Sequence, residues 1–257
     1  MYASDYVLRK SKQMRTIVKG FLPMLGVMII TGALVFVEPD LGALVVITAI
    51  AMGILFLGGL TLRVILSLAI LTPIGVWGAI LISPYKQARI QGFLDPWAPE
   101  NVLGSGYQTT QAQMAFGNGE FFGTGVGNSV AKLSFLPEAH TDFIMAIIGE
   151  EFGLFGVTIV LGLFAFLIVR MFGIAKESIQ NNRHFAALIA QGVAIWFSIQ
   201  CTINIAVNLG LFPTKGLTLP LLSFGGSSIL VSIIAIAIVL RIDHENRRNL
   251  RGQHYNK

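Results

Sequence analysis

Charge is scarce in this chain. Only 12% of its 257 residues are Asp, Glu, Lys or Arg, while 54% are hydrophobic and the mean hydropathy is +0.73. A soluble domain carries about a quarter charged residues, so an ordinary soluble fold is excluded. Cysteine is scarcer. The one Cys, Cys201, sits inside an apolar run, which rules out a disulfide framework and fits a small packing residue. With four His and that single Cys, no His/Cys metal cluster can be assembled. The alternation of a membrane barrel is absent. No repeat or low-complexity tract appears. The first twenty residues are polar and basic, with no apolar core of a signal peptide before them.

What the chain has is long apolar runs, at about 21–37, 41–60, 64–83, 143–170, 186–211 and 217–240. A helix needs roughly 20 apolar residues to cross the hydrocarbon, and backbone groups in lipid must be satisfied within the segment. The fold class is therefore all-α and polytopic, with six predicted transmembrane helices and a large external loop. The first run is short and must stand nearly upright. Threading the runs with both ends on one side places fourteen of the eighteen Lys and Arg there. Only Lys86, Arg89, Lys132 and Lys215 fall on the other. That asymmetry makes both termini cytoplasmic. It also explains the net charge of +5 without a nucleic-acid partner. Residues 1–20 and 241–257 read as cytoplasmic segments.

Between the two groups of three spans lies the external segment 84–142. It is too long to be a mere connector. Its Phe93, Trp97, Tyr107, Phe116, Phe121, Phe122 and Phe135 want burial or an interface. The segment reads as short helices on, or dipping into, the outer leaflet. The turns 37–42 and 212–228 are also external and dense in Gly and Pro. A site, on this pattern, faces outward.

Within LPEAHTDFIMAIIGEEFG, residues 136–153, five ionisable groups stand at or inside a span. Asp142 marks the loop–helix junction. It suits either an N-cap, with Thr141, or a general base at a wet cavity. Extending the helix back to Asp142 puts Gly149 nearly in line with it, Glu150 about 80° away and Glu151 on the opposite face. Asp142 and Glu151 cannot then serve one site. Glu150 and Glu151 read as intramembrane carboxylates paired for structure, and Gly149, Gly153 and Gly156 as sites of close helix approach. Gln200, Asn204 and Asn208 form a polar stripe at i, i+4, i+8, suited to interhelical hydrogen bonds or to a polar cavity wall. Lys215 suits a lipid phosphate, with snorkelling as the competing reading. His140 near Asp142 has no Ser or Cys nucleophile in a recognisable arrangement. The glycines of GNGEFFGTGVGN, 117–128, follow no strand, so a nucleotide loop is excluded. They favour tight turns and close backbone contact.

GSGYQTTQAQMAFGNGEFFGTGVGNSVAKLSFLPEAHTDFIMAIIGEEFGLFG resembles the signature of the SEDS family (shape, elongation, division and sporulation). PTKGLTLPLLSFGGSS and EPDLG resemble two further family blocks, and the variants are nearest the division branch. The match runs from about Tyr2 to Arg248. Family members have ten spans, so the resemblance implies the C-terminal six-span portion of one incomplete SEDS-type domain. It also implies a peptidoglycan polymerase that joins lipid II units on the outer face of the bacterial cytoplasmic membrane, at the division septum. Asp142 is implied as its catalytic carboxylate. Lys215 and the external loops are implied to bind lipid II or the nascent strand, with Arg89, His140, Glu138 and Ser223 as further candidate contacts. A class B penicillin-binding protein and other divisome proteins are the implied partners. Ser134 departs from the pattern, because division members often carry Glu there.

The expected reaction is inverting. Asp142 takes the proton of the acceptor's GlcNAc 4-hydroxyl, which attacks the donor's anomeric carbon. Lys215, with Arg89 or a divalent cation (Mg or Mn), neutralises the departing diphosphate. A metal would be held mainly by carboxylates and substrate phosphates. Two other classes stay open: a lipid II flippase working through Glu150 and Glu151, and a non-catalytic divisome scaffold.

Overall fold

The computed structural model describes residues 1–14, 16–37, 40–68, 70, 78 and 84–255. Those residues form helices and loops, with no strand among them. In order come α1 (Tyr2–Arg9), α2 (Leu22–Val37), α3 (Leu41–Leu57), α4 (Pro84–Leu94), α5 (Tyr107–Gly119), α6 (Ile144–Gln180), α7 (His184–Asn208) and α8 (Gly226–Tyr255). Most of the expected third span, 64–83, and Glu38 of the first turn lie outside the described residues.

Among the described residues, four helical stretches are long and apolar enough to cross a membrane: Ile17–Val35, Ile144–Gln180, His184–Asn208 and Gly226–Asn249. The helix from Gly42 to Leu57 is apolar but shorter. Large apolar side chains stand uncovered along α6 from Phe152 to Phe172. Water would make such a surface costly; lipid does not. The protein is a helical membrane protein.

The chain forms two compact units. The first comprises residues 1–69, 165–199 and 230–257. Its core joins Tyr6 and Val7 of α1, Phe21, Met24, and Ile54 and Leu55 of α3. The polar N-terminal segment is thus more than a tail, because α1 is amphipathic and packs on α3. The Tyr6 hydroxyl donates to the Gly20 carbonyl at 2.7 Å. Burial raises the Tyr6 phenol above its usual value, and Tyr2 adds to the rise. Asp40 accepts the Ala43 N–H at 3.0 Å and so caps α3. Further along the chain, Arg183 pairs with Glu245, and Arg170 with Asp243 at 3.3 Å. Buried Asn246 donates to Ser178 Oγ at 2.8 Å.

The helix ends differ from the expected apolar runs at two places. The fourth span, expected to end near 170, continues as helix to Gln180. The sixth, expected from 217, begins as helix at Gly226 and runs to Tyr255. Residues 217–225 are apolar, but they form a loop in which Leu217, Leu219 and Pro220 are buried. Leu221 there adopts a positive φ of 68°, which no helix tolerates. Hydropathy does not distinguish a buried apolar loop from the start of a span.

The second unit comprises residues 70–164 and 200–229 and holds every candidate site residue. Its helices α4 and α5 lie within 84–142. Its cores gather around Phe143, Ala146 and Val207, and around Met145, Cys201 and Leu219. Cys201 is a packing residue here.

Helix α6 is broken at Gly153, where φ is 65° and ψ is −164°. The break leaves backbone groups without helical partners, and the glycine-rich loop supplies them. Thr124 and Gly125 N–H donate to the carbonyls of Glu150 and Glu151, at 2.9 and 3.1 Å. Leu154 and Phe155 N–H donate to those of Glu120 and Phe121, also at 2.9 and 3.1 Å. Irregular backbone is tolerated in such helices when neighbouring groups re-satisfy it. A Cβ on Gly153 would lie 2.5 Å from Gly123 N. Gly149 brings α6 close to α5, as expected, since a Cβ there would meet the Phe116 ring; at Gly153 the expectation of helix approach is corrected, because it admits a loop.

Candidate active site

The polar stripe of α7 builds the site by holding two loops. Asn204 and Asn208 are both fully buried, and each donates its amide to the carbonyl of Asp142 at 2.9 Å. Asn204 also donates to Leu217 O at 2.6 Å, and Gln200 to Thr218 O at 2.8 Å. Asn208 Oδ1 accepts the Ala146 N–H at 3.0 Å, in the first turn of α6, a donor that the Phe143 carbonyl shares at 3.0 Å. The side chains thus grip loop backbone at Asp142, Leu217 and Thr218, and the bond to Ala146 joins α7 to α6 as the interhelical reading expected. Sequence spacing reveals the stripe but not its partners.

The two loops meet at Asp142. A Cβ on Gly216 would lie 3.2 Å from Asp142 Oδ2, so the carboxylate packs directly on that glycine, next to Lys215. Asp142 and Lys215 are both half-buried. Asp142 precedes α6 by two residues, so the rotation angles expected for a helix reaching back to it do not apply. It stands at the positive end of the helix dipole, which favours a negative charge. The turn that presents it is made by Glu138, whose φ is 55°. The Glu138 carbonyl accepts the N–H groups of Thr141, Asp142 and Phe143, and its carboxylate accepts the Thr141 hydroxyl at 2.7 Å. Thr141 therefore bonds back into the turn.

The other candidates divide between loop-building and surface positions. His140 is exposed, and its carbonyl accepts the Phe224 N–H at 2.9 Å, a second tie between the loops. Ser223 is buried, with its hydroxyl accepting the Leu219 N–H at 2.6 Å. Thr218 and Ser228 share a hydroxyl–hydroxyl bond of 3.0 Å, a pair that sequence reasoning missed. Arg89 donates to the Thr214 carbonyl at 3.3 Å, which ties α4 to the Lys215 loop.

Glu150 and Glu151 face away from this arrangement. Buried Glu150 accepts the Ser129 hydroxyl at 2.5 Å and the Ala131 N–H at 3.1 Å through one oxygen. Asn118 approaches its other oxygen at 3.5 Å. Glu151 pairs with Lys132 at 2.6 Å. Both carboxylates hold the 117–132 segment against α6. Among the described residues, no three His, Cys, Asp or Glu side chains converge as a metal site.

Comparison with known proteins identifies the family. The family model described as cell cycle protein, FtsW/RodA/SpoVE, matches residues 1–248. A probable peptidoglycan glycosyltransferase FtsW of Aromatoleum aromaticum is 51% identical over 98% of this chain and 61% of its own length. That of Burkholderia thailandensis is 49% identical over 98% of this chain and 54% of its own. The chain therefore spans little more than half the length of these relatives. Among solved structures, a chain of a peptidoglycan synthase complex, described for its coordination of polymerization and crosslinking, superposes with a TM-score of 0.72. It is 28% identical and covers 94% of this chain and 68% of its own. RodA of Thermus thermophilus, at 23% identity and a TM-score of 0.57 over 95% of this chain and 64% of its own, shares the fold. The chain belongs to the FtsW/RodA/SpoVE family of cell cycle proteins.

Proposed function

We propose that this chain carries the catalytic half of a division-type peptidoglycan glycosyltransferase, which polymerises lipid II into β-1,4 glycan strands. The observation that carries the reading is the Asp142 carboxylate seated on Gly216, one residue from Lys215, with its backbone clasped by Asn204 and Asn208. Asp142 accepts the proton of the acceptor hydroxyl. The freed oxygen bonds to the donor's anomeric carbon as the bond to the diphosphate breaks, inverting that centre. Lys215 offsets the charge that builds on the leaving diphosphate. No general acid is needed, because a diphosphate leaves as an anion. The family membership and the FtsW relatives support this assignment, and with it a class B penicillin-binding protein as partner, among other divisome proteins. The setting is the outer face of the bacterial cytoplasmic membrane at the septum, with both ends of this chain cytoplasmic.

The test is strand synthesis by the full-length protein with its transpeptidase. Asp142→Asn keeps the shape and removes the base, so the rate should fall by about 10²–10⁴-fold. Parental strand synthesis by that variant would sink the mechanism. The transport reading draws on Glu150 and Glu151, yet both carboxylates are engaged with the 117–132 segment. A liposome assay in which lipid II translocation needs Glu150 and not Asp142 would reinstate it.

A further inference from the structure

The basic stretch that leads from α1 into α2 has the composition of a solvated tail, yet it is folded. Met14 is fully buried, and a Cβ on Gly20 would lie 2.8 Å from Met14 Cα. The Tyr6 hydroxyl bond to the Gly20 carbonyl fastens this close contact to α1. Entry into α2 runs through a wide π-type turn, Ile17–Phe21. Such turns are rare and recur at functional sites. Val7 of α1 packs on Gly58, which ends α3. Amphipathic α1 therefore sits where α2 begins and α3 ends.

This arrangement leaves a surface that is basic and apolar together. Lys12 and Lys19 are exposed and Lys10 is half-buried. None of the three enters an ion pair among the described residues. Lys10 donates to the Gln13 side-chain carbonyl at 3.2 Å, while Arg9 is matched by Asp5. Beside the lysines, Ile17, Val18 and Leu22 are 53, 67 and 52% exposed. Ile17 and Val18 open the apolar stretch Ile17–Val35, and Lys19 lies inside it. A lysine there keeps its stem among acyl chains and extends its amine to headgroup level. An acidic protein in water would meet the amines and leave the apolar side chains uncovered. A lipid with net negative charge covers both. A zwitterionic lipid brings its own cation, which the lysines repel.

We propose that Lys10, Lys12 and Lys19, with Ile17, Val18 and Leu22, form a binding site for an anionic phospholipid. The amines hold its headgroup phosphate, and an acyl chain lies on the three apolar side chains. The charge asymmetry that orients the chain requires only the presence of these lysines; the site requires their fixed placement. The inference does not depend on the glycosyltransferase reading.

The test uses the full-length protein in nanodiscs of equal phosphatidylglycerol and phosphatidylcholine, with a photoactivatable analogue of each lipid and mapping of the labelled peptides. A basic side chain at an anionic surface is worth about fivefold in affinity. In the parent, the phosphatidylglycerol analogue should label Ile17–Leu22 at least about fivefold more than the phosphatidylcholine analogue. The triple variant Lys10→Gln, Lys12→Gln, Lys19→Gln should bring that ratio close to one, with elution and circular dichroism unchanged. Lys10→Arg, Lys12→Arg, Lys19→Arg should keep it. Lys176→Gln, which removes an exposed charge outside this segment, should leave it parental. Glycerol phosphate, which has no acyl chain, should not compete. Equal labelling of the parent by both analogues, or a parental ratio in the folded Gln variant, overturns the proposal. Loss of the ratio in Lys176→Gln overturns it in favour of a diffuse field. Displacement of the lipid by polyglutamate overturns it in favour of an acidic protein partner.

Discussion

Asp142 is held in place through its backbone carbonyl. Asn204 and Asn208 bond its carbonyl, not its carboxylate. Replacing both by Ala should lower the melting temperature, at about 1–3 kcal/mol for each buried backbone group left unpaired, yet leave a folded protein. The rate should nevertheless fall at least tenfold, because the carboxylate loses its fixed approach to the Lys215 loop. Strand synthesis and melting measured on one preparation check this. Gly216→Ala is a finer probe. The added methyl meets Asp142 Oδ2 at 3.2 Å and must displace it by a few tenths of an ångström. The rate should drop while expression and melting stay parental. The i, i+4, i+8 stripe and the Asp142 junction were legible in the sequence, because helical spacing is a local property. Their partnership was not: Leu217 and Thr218 are bonded through carbonyls, and any residue has one.

The informative element is α6. Its interruption at Gly153 is written as three glycines that also look like helix-packing spacing, and sequence alone cannot choose between these meanings. The structure chooses through four backbone bonds to residues 120–125. Gly153→Ala forces a side chain into a positive-φ position and against Gly123. It should cost about 1–3 kcal/mol from backbone strain alone, seen as a lowered melting temperature of the full-length protein. Glu150→Gln should also destabilise. An amide can serve the Ser129 hydroxyl or the Ala131 N–H less well than a carboxylate that accepts both, at a cost of about 1–3 kcal/mol. Activity per folded molecule should hold in that variant if Glu150 only fastens the loop.

For the whole molecule, the apolar runs gave the class, and the asymmetry of Lys and Arg gave an orientation. That orientation has a direct test. A cysteine at exposed Asn128 should react with an impermeant maleimide in intact spheroplasts. One at exposed Asn249 should react only after permeabilisation. Buried Cys201 should stay silent in both. The reverse pattern would turn the proposed site toward the cytoplasm and end the polymerase reading. The long segment 84–142 was legible as more than a connector. Its folding around Asn101 was not, because that turn is closed by one amide and several backbone groups.

The uncovered apolar side chains of α6 start at Phe152, ten residues beyond Asp142. At helical rise the eight residues from Ile144, where α6 begins, to Phe152 span roughly 12 Å. On the proposed function, a substrate rooted in the bilayer would have to stand up to be used, with its hydrocarbon tail in the leaflet and its sugar lifted clear of it. Reach, as much as affinity, would then decide which carriers this protein accepts. A sugar joined to its tail without the spacer of a diphosphate would hang too low.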